Sequence, residues 1–188
     1  RVPFGYVAGL QLAPVEKKPF FHALPGAKAV SFGMLGCDFH CGYCQNWISS
    51  QTLRDDDSIA RPQRIKPGDL VELAVRHRAP VMVSTYNEPL ITADWAVKVF
   101  EPARERGIVC GFVSNGNATP EALDYLTPHL DMYKVDLKSF SDATYRKTLG
   151  GPLKPVLETI EGLKTRDIWV EIVTLVVPGL NDTVGELK

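Results

Sequence analysis

The sequence predicts an α/β fold in which βα units feed a parallel sheet. Short apolar runs recur along the chain, segments with helical start and stop signals lie between them, and polar residues come after each run at the same end. Five strands are expected: Ala29 to Leu35, Val81 to Thr85, Ile108 to Val113, Met132 to Leu137 and Ile168 to Val177. The first helix begins at Pro67, with Asp69 and Glu72 in its positive first turn and Arg76, His77 and Arg78 at its negative end. The next is expected from a Thr92 cap to a Gly107 stop, burying Trp95, Val99, Phe100 and Ala103, with Pro102 kinking or shortening it. Thr119-Pro120 opens a third helix and Ser141 a fourth; Pro155 opens a fifth that turns Val156, Leu157, Ile160 and Leu163 inward. Arg54 to Gly68, with three consecutive aspartates and two prolines, reads as loop.

Composition narrows the function classes. A chain of 188 residues with 45% hydrophobic content is long enough for one domain with a substantial core. Lys+Arg 21 against Asp+Glu 22 leaves a formal charge of -1, so no overall basic character recommends a nucleic-acid or anionic-membrane partner. No apolar stretch approaches the roughly twenty residues needed to span a bilayer, and no charged-then-apolar leader opens the chain. A cytoplasmic location is the default expectation. The chain starts at Arg1 and stops about one turn into a helix after Asn181-Asp182-Thr183, so it reads as cut at both ends.

Three cysteines, Cys37, Cys41 and Cys44, fall within eight residues; the fourth, Cys110, lies far away in an apolar run and is expected to be an inert core residue. Iron-sulfur clusters are normally held by four thiolates, so a loop offering three would leave one iron open for chemistry. Thiolates carry the negative charge and soft sulfur that iron prefers. A structural zinc site would need a fourth ligand from His40, His22 or Cys110, none of which sits at a usual spacing. A disulfide framework fits an odd trio poorly. His40 is expected to be a surface or loop-packing side chain.

The residues just beyond each strand reinforce the loop. Tyr86-Asn87-Glu88-Pro89 comes after the second strand, Ser114-Asn115-Gly116-Asn117 after the third, and the fourth ends Asp136-Leu137-Lys138. In parallel α/β folds the carboxyl ends of strands share one face, where active sites are built. Asp136 and Lys138 point the same way, as does Lys134, and burying any of them unpaired is costly. They need each other or a ligand. Asn115-Gly116 is also an ordinary turn dipeptide.

The CxxxCxxC loop, Glu88 after strand two, the polar residues after strand three and the charged fourth strand together resemble the radical S-adenosylmethionine (SAM) superfamily. More narrowly, Glu16-Lys17-Lys18-Pro19-Phe20-Phe21-His22, Cys44-Gln45-Asn46-Trp47, Thr85-Tyr86-Asn87-Glu88-Pro89 and Val135-Asp136-Leu137-Lys138 resemble the radical SAM member of the AmmeMemoRadiSam system and, more distantly, pyruvate formate-lyase activating enzymes. Leu90 and Lys134 depart from that pattern. The resemblance implies a partial parallel (β/α) barrel, here about five βα units at residues 29–188 behind an N-terminal extension at 1–28, with the C-terminal part of the barrel missing. It implies a 4Fe-4S cluster on Cys37, Cys41 and Cys44, with SAM filling the open iron and being reductively cleaved to a 5'-deoxyadenosyl radical that abstracts hydrogen. Tyr43 would pack near the adenine or shield the cluster. Glu88 would meet the SAM ammonium, and Ser114, Asn115 and Asn117 its ribose hydroxyls or carboxylate. Asp136 and Lys138 would lie beside that carboxylate. A one-electron reductant such as flavodoxin or ferredoxin is the implied partner, and the substrate is a protein glycine or a small molecule. The alternative is a zinc-stabilised binding module.

Overall fold

The computed structural model describes residues 4–58 and 60–187, so residues 1–3, 59 and 188 of the expected 1–28 and 29–188 division lie outside the described range. Strands β1 (Tyr6–Val7), β2 (Gly9–Pro14) and β3 (Lys28–Gly33) precede the short helix α1 (Trp47–Gln51) and strand β4 (Gln63–Arg64). Then α2 (Pro67–Arg76), β5 (Val81–Ser84), α3 (Ala93–Glu105), β6 (Val109–Ser114), α4 (Pro120–Leu126) and β7 (Met132–Asp136) alternate. The short α5 (Asp142–Thr144), then α6 (Lys154–Lys164), β8 (Trp169–Val173) and α7 (Val184–Leu187) complete the order. One six-stranded sheet runs β2-β3-β5-β6-β7-β8; β2 is antiparallel to β3 and the other five strands are parallel, in an order that tracks the chain. β1 and β4 form a separate antiparallel pair.

The parallel strands are the five expected ones; the stretch expected as loop carries the two-residue β4, paired with the equally unexpected β1, and further differences have physical causes. β2 is unexpected from sequence: Gly-Leu-Gln-Leu-Ala-Pro contains no β-branched or aromatic residue, and pairing with β3 at the sheet edge makes it a strand. The apolar run 174–177 does not extend β8, because its partner β7 ends at Asp136. Instead the buried Asn181 side chain accepts from the Val177 amide (2.7 Å) and donates to the Leu175 (2.9 Å) and Lys138 (2.8 Å) carbonyls, holding those residues as a loop. α3 continues through Pro102 to Glu105, and Thr92 does not cap it: its hydroxyl donates to the Pro89 carbonyl (3.3 Å) within a 3-10 turn that runs into the helix. The other helix starts hold, with the Thr119 and Ser141 hydroxyls accepting from the Ala122 and Thr144 amides (both 3.3 Å).

Strand side chains alternate, so the sheet buries two apolar layers. Phe32, Met82, Phe112 and Tyr133 face the helices and meet Phe100 and Leu70. Ala29, Val81, Val83 and Met132 line the opposite, concave face, where Val15 and Phe20 of the segment between β2 and β3 cover them.

Glu171 of β8 holds that covering segment from the far edge of the sheet. Its carboxylate accepts from the amides of Phe21 (2.8 Å), His22 (3.1 Å) and Ala23 (2.9 Å) and from the Trp169 indole (3.1 Å). Burial works against the charge, but these donors outweigh it and keep the carboxyl pKa below its ordinary value. Hydrogen bonds to a charged acceptor contribute about 1.5–3 kcal/mol each, so Glu171→Ala is expected to destabilise the chain by about 2–3 kcal/mol at neutral pH. Because the folded-state pKa is depressed, this contribution is complete above the ordinary carboxylate value and is lost as pH falls through the folded value. Urea denaturation of variant and wild type should therefore diverge at pH 7 and converge in acid; a constant gap would show that packing rather than charge carries the effect.

Candidate functional site

The cysteine loop leaves the carboxyl end of β3 and is held on several sides. Arg54, three residues past α1, donates to the carbonyls of Cys37 (2.9 Å) and Phe39 (3.2 Å), while the Gln51 amide also donates to Phe39 (3.1 Å). On the other side the His40 amide donates to the Leu149 carbonyl (2.9 Å), and the buried Phe39 ring stands edge-on to Tyr145 at 5.9 Å. His40 lies over Gly150, as expected of a loop-packing side chain. Gly150 has φ 82, and a Cβ there would overlap the imidazole. The Cys44 amide donates to the Cys41 carbonyl (3.1 Å), and the Cys44 Sγ contacts the Ser50 hydroxyl at 3.1 Å.

Cys37 faces a buried polar net formed by the ends of β5 and β6. Asp38 accepts from the side-chain amides of Asn115 and Asn117, both at 2.7 Å, and Asn115 Nδ2 lies 4.0 Å from the Cys37 sulfur. Glu88 accepts from the Ser114 hydroxyl (2.7 Å), the Asn115 amide (2.8 Å) and the Leu90 amide (3.0 Å). Burial and the Asp38 charge nevertheless push the Glu88 carboxyl up to about 8, because none of its three donors is a cation. Burial also raises the thiols of Cys37 and Cys41.

Cys41, Tyr43 and Cys44 instead line an open cavity of about 440 Å³ at the carboxyl ends of the strands. Its opposite walls include Asp136, Lys134 and Lys138 of β7 and its extension, Thr85 and Tyr86 after β5, and Lys17 and Lys18. Lys134 and Lys138 share one partner: Lys134 Nζ pairs with Asp136 Oδ1, and Lys138 Nζ lies 3.6 Å from Oδ2. Burial lowers the Lys134 pKa while Asp136 pulls it back up. The Tyr43 hydroxyl is buried with no partner among the described residues, and burial raises its pKa to about 12.

The structure thus separates the expected residues into two groups. Tyr43, Asp136 and Lys138 meet at the cavity with Cys41 and Cys44, whereas Glu88, Ser114 and Asn115 form a closed net against the Cys37 side of the loop. Cys110 is fully buried in β6, with its amide bonded to Asp131 at 2.8 Å. Sequence reading missed Arg54 and Asp38, which hold the loop, and Lys18 and Tyr86, which wall the cavity. Asp38 lies within the cysteine motif and Lys18 and Tyr86 in other segments that carry the family resemblance, whereas Arg54 had no such signal.

Thiols are the donor type that a multi-iron cluster would take. Three thiols share one loop, and the unpartnered Tyr43 hydroxyl and the cation-poor Glu88 net both suit polar groups arriving from outside the chain. Among the described residues no group of three His, Cys, Asp or Glu side chains is arranged to hold a single metal ion.

The sequence pattern of the Radical SAM superfamily matches residues 32–187. The chain belongs to the radical SAM superfamily. It is 36% identical over 186 residues to uncharacterized protein MJ0808 of Methanocaldococcus jannaschii, covering 99% of this chain and 54% of that protein. It is 25% identical over 166 residues to pyruvate formate-lyase 1-activating enzyme of Escherichia coli K12, covering 84% of this chain and 64% of the enzyme. The chain therefore spans between about half and two thirds of the length of these relatives. Among solved structures, a radical SAM methyltransferase from Sphaerobacter thermophilus superposes with TM-score 0.63 at 15% identity over 86% of this chain and 51% of that one. An archaeal TYW1 superposes with TM-score 0.56 at 14% identity over 97% and 70%. These likenesses establish the radical SAM type of barrel-like α/β fold.

A methyl group at Gly150 would enforce a left-handed backbone on a non-glycine residue, at about 1–2 kcal/mol, and collide with His40. Gly150→Ala is expected to lower stability by at least that amount and to speed exchange of the His40 amide, read by denaturation and hydrogen exchange. Unchanged exchange in the variant would mean that the loop does not depend on this packing.

Proposed function

We propose that the chain is the core of a radical SAM enzyme whose Cys37, Cys41 and Cys44 hold a 4Fe-4S cluster and whose cavity receives SAM. The observation that carries this reading is a three-thiol loop, with no fourth thiol beside it among the described residues, two of whose cysteines, Cys41 and Cys44, line a cavity in a superfamily member. When bound, the reduced cluster and SAM would supply methionine and a 5'-deoxyadenosyl radical able to abstract hydrogen. The chain's own contribution is binding, orientation and exclusion of water.

Each side chain has a defined part in that reading. Tyr43 offers its free hydroxyl and ring face to the nucleoside. Asp136 and Lys138 form a charge pair suited to the zwitterionic methionine end, the lysine toward carboxylate and the aspartate toward ammonium. Glu88 has its oxygens committed to Ser114, Asn115 and Leu90, so it orients the turn after β5, and a carboxyl held up at about 8 for want of a cation would ionise when a cationic ligand arrives nearby. Asn115 and Asn117 act through Asp38 to set the cluster loop. The implied electron donor is a small reductant such as flavodoxin or ferredoxin.

Similarity to the activating enzyme supports an activase-like reaction on a glycine of a partner protein, and the AmmeMemoRadiSam resemblance supports a member of that system with its own substrate. No helix among the described residues is long and apolar enough to cross a membrane. The alternative, a zinc-stabilised binding module, requires four ligands on one ion, and metal content distinguishes it from the cluster reading.

Anaerobic reconstitution with iron and sulfide should give brown protein that releases 5'-deoxyadenosine from SAM under reduction, and Cys41→Ala should abolish the release. Product formation by that variant, or colourless protein carrying one zinc, would count against the assignment. Lys138→Met, which leaves Asp136 to Lys134, is expected to weaken SAM binding about tenfold, the scale of one lost charge-assisted contact; equilibrium dialysis of reconstituted protein would measure it.

A further inference from the structure

Lys18 is a buried charge without a carboxylate partner among the described residues; the Tyr86 ring, 4.5 Å from its ammonium, offsets that only in part. Lys18 is 4% exposed, yet its ammonium reaches the cavity wall. Its hydrogen bonds go to two neutral oxygens, the Tyr86 hydroxyl at 2.8 Å and Gln11 Oε1 at 3.1 Å. Burial and the neighbouring Lys17 hold its pKa down at about 8, and no carboxylate contributes to that balance. A buried ammonium without a counter-charge costs several kcal/mol unless something offsets it.

The surroundings hold that unpaired charge in place. Tyr86 adopts φ 77, a left-handed backbone unusual for an aromatic residue, and is kept there by three contacts. Its carbonyl accepts from the Ser49 hydroxyl (2.7 Å), and its own hydroxyl meets Ser31 (2.8 Å) and Gln11 (3.0 Å). Strained backbone thus positions the phenol that orients Lys18. Across the cavity Lys134 and Lys138 must divide the single carboxylate of Asp136. Lys17, Lys18, Lys134 and Lys138 line the walls against that one carboxylate, so the cavity carries excess positive charge in a chain whose net formal charge is -1.

With Asp136 and Lys138 engaged by SAM, Lys18 is left without a role. We propose that Lys18, oriented by Tyr86, is the oxyanion-binding residue of the substrate site, and that the substrate is a small molecule bearing a carboxylate or phosphate. Lys134 lies across the same cavity and adds to the attraction. The inference rests on the proposed function for the word substrate; the oxyanion site itself does not.

The test uses the full chain without cluster, titrated with inorganic phosphate and separately with succinate, and reads the thermal midpoint. At least one anion is expected to raise the midpoint saturably. Lys18→Met should weaken that anion at least tenfold, Lys18→Arg should restore most of the affinity, and SAM binding by reconstituted Lys18→Met protein should stay within twofold of wild type. Response to phosphate alone indicates a phosphate ester, and response to succinate alone a carboxylate. Reductive methylation of the wild-type chain, mapped by peptide mass spectrometry, needs no variant: Lys18 should be protected by the same anion while exposed Lys17 is not. Absence of any anion effect on wild type, retention of it in Lys18→Met, or a tenfold loss of SAM affinity in that variant would each overturn the proposal. Failure of wild-type protein to release 5'-deoxyadenosine would instead remove the radical SAM reading and leave the oxyanion site standing.

Discussion

Charge buried on the concave side of a parallel sheet is the constraint around which this molecule is arranged. Moving an ion out of water costs several kcal/mol unless partners replace its hydration, and the chain meets that cost differently from group to group. On β8, in register with Lys134 of β7, Glu171 is satisfied by backbone amides and an indole, and the result is structural: the segment between β2 and β3 is drawn across the sheet from the opposite edge. At the carboxyl ends satisfaction is incomplete. Glu88 has three donors but no cation, Lys134 and Lys138 share one carboxylate, and Lys18 has only neutral partners. The incompletely neutralised groups gather where the cavity and the thiols lie, which is where ligands bring charge of their own.

The cysteine loop depends on supports drawn from most of the sheet. Arg54 and Gln51 hold its backbone from the adjoining helix and turn, Asn115 and Asn117 hold Asp38 from the end of β6, and the Tyr145–Gly151 turn holds Phe39 and His40. A loop of this kind has no regular hydrogen-bonding ladder of its own, so the contacts that fix three sulfurs relative to the cavity are long-range side-chain contacts. Pre-organisation of that loop is the protein's contribution to a reaction whose difficult bond-breaking belongs to the cofactors.

Several parts of this arrangement were legible in the residue order. The four inner parallel strands announce themselves through apolar runs because a strand buried on both faces is apolar nearly throughout. The cysteine spacing and the charged Asp136 and Lys138 were legible because chemistry requires particular atom types at short separation. β2 and the end of β8 were not, since an edge strand exists by virtue of its neighbour and a long apolar run stops being strand where its neighbour ends. Pro102 does not end α3, because the packed face of that helix, with Trp95, Val99, Phe100 and Ala103 buried, outweighs one missing amide.

Sequence by itself determined the superfamily, the parallel α/β class and the identity of the thiol trio, because each is encoded in local periodicity or in residues a few positions apart. Tertiary structure decided which polar residues face the cavity and which turn inward. Glu88, Ser114 and Asn115 close on one another because β5 and β6 are hydrogen-bonded neighbours, and Lys18 reaches the cavity because Phe20 and Val15 anchor its segment on the concave face. Such outcomes depend on contacts between residues distant in the chain, whose geometry exists only once the sheet has formed.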